Sequence, residues 1–177
     1  MQRDTTRSVG LPRRLLLQGG ITLGASIACG AGLRLDVPAP GAFVLSVEEM
    51  DIVRALAEVM FPGKPLPKDG LEARVAEGVD RLLYEYLGEP HSSALRYVLR
   101  AIEWGTLASR GARFSALSAE VRAQVLDRWA DPTVLPRRVA LDGLKLLMGM
   151  AYFRDRDVLD AIGWRVGCAG RVSGGAP

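Results

Sequence analysis

The sequence predicts an all-α protein, a single small helical domain of about five or six helices behind an N-terminal signal segment. Three observations lead there. Apolar residues make up 49% of the 177 positions and aromatic ones only 6%, with Leu, Ala and Val dominant and almost none of the apolar/polar alternation that marks a half-buried strand. Apolar positions instead recur three or four apart. Most of these runs are bounded by Ser, Pro or Gly, the residues that start and stop helices. With the leader set aside, about 140 residues remain, enough for one domain with one core.

Residues 1–33 read as a twin-arginine export signal. Polar Arg3, Asp4, Thr5, Thr6, Arg7 and Ser8 precede Arg13-Arg14, and Leu15-Leu16-Leu17 follow. The export pattern sets two arginines before an arbitrary residue and a large apolar pair, here Leu16 and Leu17; Pro12 and Gln18 are the only departures. Glycines at 19, 20 and 24 keep the apolar stretch less hydrophobic than a stable bilayer span requires. Ser26-Ile27-Ala28 offers small residues for cleavage, which would leave Cys29 at the new N-terminus. Three readings of Cys29 stand: a lipid-modified cysteine, a buried thiol, or a disulfide with Cys168.

Residues 34–45 contain Pro38, Pro40 and Gly41 and read as an extended linker. The helical domain is expected over 46–164. Ser46-Val47-Glu48-Glu49 is a capping box, and Met50, Val53, Leu56, Ala57 and Met60 form the buried stripe behind it, up to Pro62-Gly63. A second helix is expected from about Leu71 to Leu87, with Val75, Val79, Leu82, Leu83 and Tyr86 inside. The third begins near Pro90, because proline costs no hydrogen bond in a first turn, and runs through Leu95, Val98, Leu99 and Ile102 to about Ser109, with Gly111 closing it. Phe114, Leu117 and Ser118 lead into the fourth, Ala119 to Ala130, where Val121, Val125, Leu126 and Trp129 share a face. The fifth, from about Pro136 to Phe153, is apolar nearly all round and is expected at the centre of the domain. Asp155-Arg156-Asp157 opens a short sixth helix, and Gly, Ser and Pro mark residues 165–177 as a tail that frays.

The charge argues against a nucleic-acid partner. Arg3, Arg7, Arg13 and Arg14 against Asp4 account for the whole formal charge of +3, so the body is neutral and has no field for phosphates. Two cysteines and one histidine exclude a four-cysteine zinc site, a cysteine-ligated iron-sulfur cluster and a bis-histidine haem within one chain. There is no Cys-x-x-Cys-His for covalent haem attachment. His91 sits at a helix start, where a solvated first-turn role is expected rather than general base catalysis. Asp51, Glu58, Asp80, Asp142, Asp155, Asp157 and Asp160 are read as surface carboxylates, with Asp142 in an internal ion pair to Arg138 or Lys145. No nucleotide fingerprint, phosphate loop or nucleophile elbow is present, and Gly167-Cys168-Ala169-Gly170 has neither a strand nor a histidine beside it. No catalytic, cofactor-binding or metal residue is therefore assigned.

The twin-arginine leader, Ala57-Glu58-Val59-Met60-Phe61-Pro62-Gly63, Gly78-Val79-Asp80-Arg81-Leu82-Leu83, Phe114 to Arg122, Met150 to Val158, and Ala161-Ile162-Gly163-Trp164 follow one another in that order. Together they resemble the small subunit (subunit 3, or gamma) of gluconate 2-dehydrogenase and related flavin-dependent dehydrogenases of the glucose-methanol-choline type. The resemblance implies a chain with no cofactor of its own. FAD would belong to a large flavoprotein subunit and haem c, where present, to a cytochrome subunit, while the small subunit carries the export signal through the twin-arginine translocase to the periplasm or the periplasmic face of the inner membrane. Met60, Phe61, Pro62, Tyr152, Phe153 and Trp164 are the expected partner interface, on their aromatic and turn character. The competing reading is a stand-alone periplasmic lipoprotein that binds a ligand or scaffolds an envelope complex.

Overall fold

The computed structural model describes residues 37–61 and 70–164. These lie in the second of the chain's two compact units, Leu35–Pro177; the first, Met1–Arg34, is outside the described residues. So are the signal residues Arg13, Arg14, Leu16 and Leu17, both cysteines, Pro62 and the tail from 165.

Every regular element among the described residues is helical: α1 (Val47–Met60), α2 (Leu71–Tyr86), α3 (His91–Gly105), the single turn α4 (Leu107–Arg110), a 3-10 turn at Phe114–Ala116, α5 (Ala119–Trp129), α6 (Leu135–Tyr152) and the short α7 (Arg156–Ala161). The capping box at the start of α1 is complete. Glu49 N–H donates to Ser46 Oγ at 3.3 Å, and Ser46 N–H donates to a Glu49 carboxylate oxygen at 2.9 Å, so two amides of the first turn are satisfied reciprocally.

The central helix is α1, not α6. α2, α3, α5 and the 3-10 turn all pack around it, and it buries Ile52, Val53, Leu56 and Ala57. α6 packs mainly on α2, with smaller contacts to α5 and α3. Its apolar content therefore exceeds what the other described residues cover. Hydrophobic composition counts every face of a helix and cannot say which face has a neighbour within the same chain.

Where α2 crosses α6, Gly78 faces Ala151, and a Cβ added at Gly78 would stand 3.1 Å from the Ala151 Cβ. The missing side chain lets the backbones approach. Val75, Val79, Leu82 and Leu83 are buried on α2 as expected, but Tyr86 is exposed. It sits in the last turn, beyond the reach of the core, with the Arg154 guanidinium 5.9 Å from its ring centroid.

The expected single third helix is broken. Thr106 Oγ1 donates to the carbonyls of Glu103 at 3.2 Å and Ala112 at 2.8 Å, a local side-chain-to-backbone arrangement that competes with helix continuation. Gly111 then closes α4 in the left-handed region at φ 71°. Phe114, completely buried in the 3-10 turn, fills the space between α1 and α3, a burial that contributes about 2–3 kcal/mol. α7 is capped by Asp155, whose carboxylate accepts from Val158 N–H at 3.1 Å, and Val158 anchors it in the core.

Candidate functional site

α6 has two apolar faces. Leu141, Leu144, Leu147, Met148, Ala151 and Tyr152 point inward. On the opposite side Leu135, Val139, Leu146 and Met150 stand out, and Phe153 follows just past the helix end; they are 64%, 60%, 68%, 47% and 56% exposed. Their spacing of three, four and seven residues keeps them on one stripe of the helix. Gly143 and Gly149 lie along the same side, and a Cβ at either would meet nothing within 4 Å. Each costs about 1 kcal/mol against alanine in a helix interior, and no contact among the described residues requires them.

The stripe runs into an aromatic cluster. Phe61, the residue that ends α1, stacks on Tyr152 with ring centroids 4.1 Å apart and planes at 10°. Phe153 meets Tyr152 edge-on at 5.1 Å and 85°. Two elements 91 positions apart in sequence thus bring three of the expected interface residues together. Met60 is half-buried and packs against the core, while Trp164 is 62% exposed beyond α7 with its backbone N–H donating to Leu159 O at 2.8 Å.

The cluster is braced beneath. Arg74 Nε donates to Asp155 Oδ2 at 2.6 Å, tying the start of α2 to the turn between α6 and α7. Burial works to raise the Asp155 carboxyl, but the bonds from Arg74 and Val158 and the positive charge outweigh it and hold the carboxyl below its ordinary range. Burial, and then the charge on Asp155, push the Tyr152 hydroxyl up.

The remaining charged groups build structure. Glu49, completely buried, accepts from Arg96 Nε at 2.8 Å and Arg100 Nε at 3.1 Å, so the capping carboxylate also joins α1 to α3. Glu103, also buried, accepts from the Ser115 amide and hydroxyl at 2.9 Å and 2.6 Å. Arg122 reaches from α5 to the Ala55 carbonyl and to Glu58. Asp80, read from sequence as a surface group, is buried and accepts three successive backbone N–H groups, those of Phe43, Val44 and Leu45. The expected internal pair of Asp142 with Arg138 exists at 3.8 Å, but on the surface, with both side chains at least half exposed. His91 is exposed at the start of α3.

Among the described residues no group of three His, Cys, Asp or Glu side chains is placed to hold a metal ion, and no helix is long and apolar enough to cross a membrane. An open cleft of about 440 Å³ lies between residues 39–43 and α1 and α2, edged by Arg54, Glu77 and Arg81. It contains no nucleophile with a paired base.

The family profile described as Gluconate 2-dehydrogenase subunit 3 matches residues 47–155, from the start of α1 to the Asp155 cap. That is well over half the chain. The chain belongs to the gluconate 2-dehydrogenase subunit 3 family. The matched span of this subunit 3 protein contains the whole α6 stripe and the Phe61, Tyr152 and Phe153 cluster; Trp164 lies outside it. The family's name is that of a subunit, so membership implies association with other dehydrogenase subunits. No curated protein and no solved structure shows significant similarity to this chain.

Proposed function

We propose that this subunit 3 protein is a non-catalytic partner of a flavin-dependent alcohol or sugar-acid dehydrogenase. It binds the large subunit, escorts it through the twin-arginine translocase and stabilises it in the periplasm. The observation that carries this reading is the exposed stripe Leu135, Val139, Leu146, Met150 and Phe153, continuous with the stacked Phe61 and Tyr152. An apolar strip of that length is a poor surface to leave in water and a good one to cover with another polypeptide.

The chemistry is divided between chains. FAD would belong to the large subunit and supply the redox chemistry there, and haem c, where present, would belong to a cytochrome subunit. This chain contributes binding. Gly143 and Gly149 let a partner segment approach the α6 backbone closely, as Gly78 does for Ala151 within the chain. The Arg13-Arg14 signal then serves both proteins, since the twin-arginine route carries folded cargo.

The test compares the intact chain with an Arg13→Lys, Arg14→Lys double variant in cells that also make the flavoprotein. Both proteins are expected to remain in the cytoplasm in the variant. A flavoprotein still exported alongside the variant would defeat the escort role.

A further inference from the structure

Asp80 makes a connection that nothing in the partner-binding reading uses. Its carboxylate, on α2, accepts from the N–H groups of Phe43 at 2.7 Å, Val44 at 2.9 Å and Leu45 at 2.7 Å. One buried anion thus gathers three consecutive amides of the segment that precedes α1. The same segment is held by two further contacts: Leu45 is completely buried, and the Phe43 ring stacks on Tyr84 at 4.7 Å, one helical turn beyond Asp80. It also folds on itself, with Ala39 N–H donating to Leu45 O at 2.8 Å and Ala42 N–H to Ala39 O at 2.9 Å around Gly41 at φ 85°. Val37, by contrast, is 84% exposed. What reads from sequence as a plain linker is, over 39–45, a docked strap.

We propose that Asp80 is a latch that docks residues 39–45 onto α2, so that, on the export reading, the signal is joined to a closed body ready for export only when α2 has folded and captured the strap. The inference rests on the export reading for its consequence, but not for its geometry. The three donors lie 35 to 37 residues from Asp80, so the latch cannot close on local structure alone. Opened, it would add the seven residues from Ala39 to Leu45 as loose chain, about 23 Å of extra reach at ~3.3 Å per residue. A translocase that takes folded cargo then meets a signal followed by a slack, unprotected segment.

The experiment uses the full chain with Asp80→Asn and, should that variant not fold, Val44→Pro, which deletes one strap donor and leaves α2 untouched. Tyr84→Ala is the control that removes the stack alone. Amide hydrogen exchange is expected to quicken at least tenfold at Phe43 and Leu45 in either latch variant, with α1 and α6 amides at wild-type rates and the strap still protected in Tyr84→Ala. In cells the exported fraction of the latch variant is expected to fall at least twofold at equal precursor level. Strap amides that stay protected, or an exported fraction that does not change, would overturn the latch. Insensitivity of export to Arg13→Lys, Arg14→Lys would instead sink the export reading, a result separate from the exchange measurement.

Discussion

Gly78 and Ala151 stand so close that a Cβ on the glycine would come within 3.1 Å of the alanine's. The atoms it would meet belong to Ala151 itself and not to the tip of a flexible side chain, so α6 would have to move as a unit. A branched residue at 78 is expected to destabilise the protein by about 1–3 kcal/mol, the usual range for overpacking. Urea denaturation of Gly78→Val checks this, and unchanged stability would show that the crossing has slack.

The opposite result is expected one face away. At Gly143 and Gly149 there is open space, so alanine relieves the helix-propensity cost and raises stability by about 0.5–1 kcal/mol per site. If a partner packs closely there, the same changes weaken its binding while the isolated chain becomes more stable. Thermal melting of the chain alone, beside a pull-down with the large subunit, separates the two effects.

Glu49 serves two buried guanidinium groups at once. Glu49→Ala removes the charge that Arg96 and Arg100 share and the reciprocal half of the capping box. The expected loss is about 3–5 kcal/mol, enough to unfold many small domains. Circular dichroism on thermal unfolding measures it.

Local signals in the sequence were informative and distant ones were silent. The Ser46–Glu49 box placed the start of α1 because capping is decided within four residues. Nothing nearby reveals that Glu49 also receives Arg96 and Arg100, or that Asp80 will meet amides 35 positions back. Asp80 reads as an ordinary polar position on a helix, and Glu49 only as the far half of a capping box. The error over α6 has a different cause: an exposed apolar face and a face packed on the core are written in the same residues, and only the packing of α1 against its neighbours tells them apart. Phe61, Tyr152 and Phe153 could be singled out by type, but their stacking required the fold.

Acid should weaken the brace under the aromatic cluster. The Asp155 carboxyl is held below its ordinary value in the folded state, so its contribution is fully present above the unfolded value of about 3.9 and is lost as pH falls through the folded value. Arg74 stays charged throughout. Asp155→Asn keeps an N-cap side chain and loses the ion pair. We expect about 1 kcal/mol of destabilisation at pH 7, modest because Arg74 is partly solvated. The difference from the unsubstituted protein should shrink progressively as pH falls below that unfolded value, which denaturation midpoints followed from pH 7 into acid would show.

The central claim is that the α6 stripe is where the flavoprotein docks. Leu146→Glu, Met150→Glu places two charges on side chains that are 68% and 47% exposed, so the isolated chain should keep its fold and melting temperature. The decisive measurement is flavin absorbance in material purified through a tag on this chain from cells that make both proteins. The account predicts a clear flavin spectrum with the unsubstituted chain and its loss with the double variant; equal flavin recovery from both would contradict it.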